Sequence, residues 1–210
     1  MPEFTTDCIA CPRLAGFLQR VREDCPHYFA RPVPPFGDAR AQLLIVGLAP
    51  GMHGANRTGR PFTGDFAGIL LYETLHKFGF SNMPVSVSVD DGLELRNCRI
   101  TNAVKCLPPE NKPIGEEIRT CNAYLQNELN ELAQGSVILA LGTIAHQAVL
   151  RAFAMTLSQH KFGHGAQHDL PGNRILLDSY HCSRYNTQTR RLTTNMFEDV
   201  FRSARELLDR

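Results

Sequence analysis

The chain has 210 residues, of which 43% are hydrophobic and 20% charged, and its formal net charge is +1. That is the composition of an ordinary globular protein, long enough to build a core without staples, and residues 1–210 read as one domain. No apolar run approaches the roughly 20 residues needed to span a bilayer, and no signal-peptide pattern opens the chain, so no membrane partner is expected. A cytoplasmic location and a monomeric state are further expectations.

Cys8 and Cys11 precede a helix predicted over Pro12 to about Glu23, with Leu14, Phe17, Leu18 and Val21 on one face. Prolines 26, 32, 34 and 35 exclude regular structure from Cys25 to Asp38, leaving an extended arm. Leu43 to Val46 is a short branched run that reads as a strand buried on both faces. Gly47 ends it, and a loop carrying Gly51, Gly54, Gly59 and Gly64 follows. Asp65 closes that loop as the N-cap of a helix over about Phe66 to Phe78.

Val85 to Val89 alternates valine with serine and predicts a minor exposed strand, with a turn at Asp91-Gly92. Arg99 to Lys105 reads as a second core strand, Glu116 to Leu132 as an amphipathic helix, and Val137 to Leu141 as a third strand. Gly142 breaks it, a helix follows over Thr143 to Phe153, and Ile175 to Tyr180 is a fourth strand ending at His181. A last helix runs from Thr194 to Leu208. Strands alternating with helices imply an α/β fold, a central four-stranded parallel sheet with helices on both faces. Gly47 to Pro50, Asn102, Gly142 and His181 then fall at the carboxyl ends of strands, the edge where such sheets bind ligands.

The glycine-rich loop has neither the phosphate-loop pattern nor G-x-G-x-x-G, yet it carries His53, Asn56, Arg57, Arg60, Phe62 and Asp65. A connection of that length is usually functional. Seven cysteines without a secretion signal argue for a reducing compartment and for metal-bound or buried thiols. Cys8, Cys11, Cys106 and Cys121 can hold zinc or a 4Fe–4S cluster, and the wide second spacing leans toward the cluster. Cys25, Cys98 and Cys182 read as packing residues. His160, His164 and His168 stand four apart like helical metal ligands, but Gly163 and Gly165 spoil the helix.

With these residues in view the sequence resembles the iron–sulfur uracil-DNA glycosylases, family five, over nearly its whole length. The likeness rests on the four cysteines, Arg31 to Pro34, the loop GLAPGMHGANRTGRPFTGD, the segment ITNAVKCLPP, and His181 followed by Asn186 to Thr189 and Leu192-Thr193. The sister family four reads GEAPG in the loop and lacks the aspartate; here those positions are Leu48 and Asp65. Two positions depart from the pattern. His181-Cys182-Ser183 stands for the usual His-Pro-Ser, and Arg190 for a glycine.

The resemblance implies a repair enzyme that hydrolyses the N-glycosidic bond of uracil, and of other deaminated or damaged bases, in DNA. It implies catalytic roles for Asp65 at water or the sugar cation, for His181 as donor to the departing base, and for Asn102 at the base edge. Leu48, Ala49, His53 and Phe62 would bind the base, Phe62 by stacking. Arg57, Arg60, Arg184, Tyr185 and Asn186 would meet DNA, the arginines at phosphate and Tyr185 in the gap left by the flipped nucleotide. Cys8, Cys11, Cys106 and Cys121 would hold a 4Fe–4S cluster. Two alternatives are an iron–sulfur redox or sensor protein, and a nucleotide-binding enzyme using the glycine loop. The first needs no polar residues at three further strand ends, and the second wants a phosphate-binding lysine or a carboxylate pair that the loop lacks.

Overall fold

A computed structural model describes residues 3–209. The chain runs α1 (Pro12–Asp24), β1 (Phe36–Gly37), β2 (Leu43–Gly47), α2 (Ala55–Thr58), α3 (Phe66–Lys77), β3 (Cys98–Asn102), α4 (Gly115–Glu131), β4 (Val137–Leu141), α5 (Thr143–Ala152), β5 (Gln167–Leu170), β6 (Arg174–Ser179), α6 (Arg184–Gln188) and α7 (Thr194–Leu208). One six-stranded sheet has the order β1-β3-β2-β4-β6-β5. Its four central strands are parallel, as expected, and β1 and β5 are antiparallel edges that the sequence reading did not include. No helix among the described residues is long and apolar enough to cross a membrane.

The sheet is covered on both faces, and its two innermost strands, β2 and β4, carry no polar side chain and are buried end to end. Strand alternation divides them. Leu43 and Ile45 pack with Leu139 and Leu177 against α3 and α7, while Leu44 and Val46 pack with Ile138 and Leu176 against α4 and α5. A third cluster joins Leu14, Leu18 and Val21 of α1 to Val104, Leu107 and the cysteines at 106 and 121. The chain leaves β2 through α3 to one neighbour, β3, and later adds β4 and β6 on the other side. The crevice between oppositely directed crossovers opens at the carboxyl ends of β2 and β4.

Three local expectations are corrected. Val85–Val89 is not a strand: the Val87 and Ser88 amides donate to Asp91 Oδ2 at 2.8 and 3.2 Å rather than to a neighbouring strand. Its three valines all stay 51–61% exposed. β3 stops at Asn102 instead of Lys105, because the Ala103 and Val104 amides turn to the carbonyls of Gly47 and Leu48. The proline-rich arm, expected to be irregular throughout, contributes β1 at its end, paired Phe36 to Ile100.

Candidate active site

A cavity of about 440 Å³ lies at the carboxyl edge of the sheet. Leu48 and Ala49 follow β2, Asn102 ends β3, Leu141 and Gly142 end β4, and His181 follows β6; all line it together with Phe62 and Asp65. The structure therefore brings Leu48, Ala49, Phe62, Asp65, Asn102 and His181 to one place.

Close packing of the loop against the strand ends fixes the cavity wall. A Cβ on Gly47 would stand 2.4 Å from Asn102 Oδ1 and 2.7 Å from the Phe62 ring, so only glycine lets both side chains lie over the strand end. Phe62 itself has φ +54°, a costly left-handed conformation for a bulky residue. The turn is held by the buried Tyr72, whose hydroxyl donates to the Pro61 carbonyl at 2.8 Å. The Phe62 ring stacks beside His181, centroids 5.8 Å apart and planes 28° apart. The Asn102 carboxamide makes no hydrogen bond to the protein among the described residues and borders the cavity.

Asp65 caps α3, its Oδ1 accepting from the Gly68 amide at 3.0 Å. Its other oxygen packs where a Cβ on Gly54 would lie, 2.3 Å away, so Gly54 makes room for the carboxylate. Burial pushes the Asp65 pKa up, and the Gly68 and Ala67 amides only partly oppose it. The carboxylate is thereby more basic than a surface aspartate.

His181 has its Nδ1 buried without a partner, which leaves Nε2 as the nitrogen available to the cavity. Burial pushes its pKa down to about 4, so the imidazole is neutral at pH 7. Asn186, expected at DNA, donates from Nδ2 to the His181 carbonyl at 2.8 Å and so positions the histidine loop.

Two other expected site residues are also displaced. Arg60, read as a phosphate contact, is 5% exposed and donates to Asp91 at 2.7 Å, Ser86 at 3.1 Å and the Val89 carbonyl at 2.6 Å, with its guanidinium over Phe36. Both terminal nitrogens of that group are engaged within the protein, and Arg60 is an internal brace. His53 does not line the cavity; its Nδ1 meets Tyr28 Oη at 2.8 Å, and it borders an adjoining groove with Phe66, Ile69, Val85, Val87 and Arg184. Arg57, Arg184 and Tyr185 are exposed. The sequence reading passed over Asn111, Thr143 and Ile144, which also line the cavity. The signal available for Asn111 was its place just beyond β3, in the turn that Pro108 and Pro109 open.

Away from the cavity, Cys8, Cys11, Cys106 and Cys121 surround one apolar recess that also meets Leu14, Val104 and Tyr124. Tyr124 Oη lies 3.3 Å from the Cys8 sulfur, and the Lys105 amide donates to the Cys121 sulfur at 3.3 Å. Arg13 clamps Glu117 through two bonds of 2.7 and 2.8 Å, tying α1 to α4 around this recess.

The chain matches the model of the uracil DNA glycosylase superfamily over residues 34–205. It is 50% identical over 207 residues to a type-5 uracil-DNA glycosylase of Thermus thermophilus, covering 96% of this chain and 94% of that one. A type-5 uracil-DNA glycosylase of Pyrobaculum aerophilum is 44% identical over 202 residues, 94% of this chain and 88% of that one. The crystal structure of Pedobacter heparinus SMUG2 shares the fold at a TM-score of 0.52 and 15% identity, over 99% of this chain and 93% of that one. The chain belongs to the uracil-DNA glycosylase superfamily and, within it, to the type-5 branch.

Proposed function

We propose that this protein is a DNA repair glycosylase that removes uracil by hydrolysing its N-glycosidic bond, leaving an abasic site. The observation that carries the reading is the meeting of Asp65, Asn102, Phe62 and His181 around one cavity, in a chain half identical to a type-5 enzyme.

The reaction separates C1′ from the base through a sugar with cationic character and a base that leaves as an anion. The nucleotide must first leave the duplex, at a cost of a few kcal/mol. Phe62 then stacks on the base, and Asn102, with a donor and an acceptor free, reads its edge. The neutral His181 donates from Nε2 to the base oxygen that gains charge, a bond that strengthens as the C–N bond breaks. Neutrality helps, because the donor is ready without a proton having to be taken up. Asp65 orients the attacking water and steadies the cationic sugar, and its raised pKa suits it to accept the water proton. Leu48 stands where family four has an acid, which widens the pocket's tolerance to other deaminated bases.

The four cysteines are read as the ligands of a 4Fe–4S cluster. Around a tetrahedral zinc the sulfurs stand about 3.8 Å apart, whereas no three of these come within 4.8 Å of one another. That wider spread and the apolar recess suit a multi-iron cluster, which would lock α1, the segment after β3 and α4 together. Arg57, Arg184 and Tyr185 are the exposed residues left to meet DNA beside the cavity. A cytoplasmic enzyme acting as a monomer completes the reading.

The test is incubation with matched duplexes carrying uracil or thymine, followed by alkali cleavage. Strand scission at uracil alone supports the reading; none at uracil, or the same at thymine, overturns it.

A further inference from the structure

The three histidines four apart do not share a helix, since residues 161–166 are irregular and His168 lies on β5. The fold instead carries His168 to His146 on α5 and Asp178 on β6. One donor atom from each of these three lies within 4.8 Å of the others, and no other such group of three is present among the described residues. None of the three lines the substrate cavity.

The hydrogen bonds define what the site lacks. His146 Nε2 is 2.9 Å from the His160 carbonyl oxygen, which can only accept, so that nitrogen carries a proton. Nδ1 of the same ring is 2.8 Å from Asp178 Oδ1, and His168 Nε2 is 3.2 Å from Oδ2. The Asp178 side chain is fully buried and His146 nearly so. A positive centre must therefore stand between two imidazoles and one buried carboxylate, either as protons or as a metal ion.

We propose that His146, His168 and Asp178 bind a divalent transition-metal ion, with zinc the best fit. Two imidazoles and a carboxylate from three separate segments form a known class of donor set. The bond from His146 Nε2 to a backbone carbonyl is the outer contact that metal-bound histidines characteristically make, and it aims Nδ1 inward. Donors around a tetrahedral zinc stand about 3.4 Å apart. One donor atom from each of the three residues lies within 4.8 Å of the others, close enough for side-chain adjustment to bring them to that spacing. His160 bonds the Thr156 carbonyl through Nδ1, and its ring lies 5.8 Å from that of His168. His160 is not among the three residues whose donor atoms meet, so a water supplies the fourth position. The ion displaces protons from the imidazoles as it binds. It ties the β5–β6 hairpin to α5, behind the strand that leads into His181.

The test uses the iron-loaded protein, exposed to zinc and then freed of excess, with zinc and iron counted separately per chain. Wild type is expected to retain one zinc and to melt at a higher temperature with it. His168→Gln, at the sheet edge, and Asp178→Asn are expected to lose both effects while their iron content stays unchanged. A wild-type protein that retains no zinc overturns the proposal, because protons then bridge the three side chains. Equal zinc in wild type and His168→Gln also overturns it, since the ion then sits elsewhere, as on the cysteines.

Discussion

The ring of Phe62 lies beside the imidazole of His181, 5.8 Å between centroids and 28° between planes, so the stacking plate and the donor share one wall of the cavity. Phe62 is held there in a left-handed turn by Tyr72 and by the absence of a side chain at Gly47. Phe62→Ala is expected to weaken capture of the flipped base by about 1–3 kcal/mol, the worth of one base on an aromatic platform. Titration of a duplex carrying a non-cleavable uracil nucleotide measures this. An unchanged affinity would make Phe62 a core residue only.

His181 supplies a pH dependence with a definite sign. An unfolded histidine takes its proton near 6.5, whereas the folded one waits until about 4. The unfolded state thus binds more protons between those values, and stability present above about 6.5 is lost as pH falls toward 4. His181→Gln should flatten that loss in melting temperatures measured from pH 7 to 4. The donor stays neutral over the same window, so the single-turnover rate should show no limb near 6.5 from this residue.

Arg60 and Arg57, close in the sequence, have opposite expected phenotypes. The Arg60–Asp91 pair is 5% and 8% exposed, and although burial alone would raise the Asp91 pKa, Arg60 and three backbone amides hold it at about 2. Arg60→Ala leaves Asp91 buried without its partner and is expected to cost about 3–5 kcal/mol in denaturant unfolding. Arg57→Ala and Arg184→Ala should instead leave stability nearly unchanged and lower the salt slope of DNA binding by about one each. The same stability in all three variants would contradict the assignment of Arg60 as a brace.

Cys106→Ser and Cys121→Ser are expected to lose the brown colour and most of the iron, with a lower melting temperature, because α1 and α4 then lose their shared anchor. Elemental analysis checks this. A colourless wild-type protein with one zinc on the cysteines would contradict it.

The central sheet was legible because VILAL at Val137–Leu141 and the run at Leu43–Gly47 are apolar at every position. Asp65 announced its helix and does cap it, accepting from Gly68, whereas the Thr193 cap of α7, accepting from Met196, emerges only in the structure. The edge strands were not legible. Phe36–Gly37 is two residues long and Gln167–Leu170 is mostly polar, so each owes its form to its neighbour. Within the site, position at a strand end found Asn102 and His181. It could not show that Arg60 has a partner 31 residues on, or that Tyr28 turns His53 aside. His146, His168 and Asp178 escaped because their meeting depends on three elements at once.

Asp65 carries the central claim, and its burial separates chemistry from folding. The folded carboxyl holds its proton to higher pH than the unfolded one, so ionisation of Asp65 lowers stability as pH rises through its folded pKa. Asparagine is a good N-cap without that charge, so Asp65→Asn should melt no lower than wild type at pH 7. The most direct measurement is the single-turnover rate of uracil release at saturating enzyme, wild type against Asp65→Asn. The account predicts a fall of about a hundredfold to ten-thousandfold with DNA binding retained. An unchanged rate with weakened DNA binding would contradict it, and Asp65 would then be a helix cap and loop anchor alone.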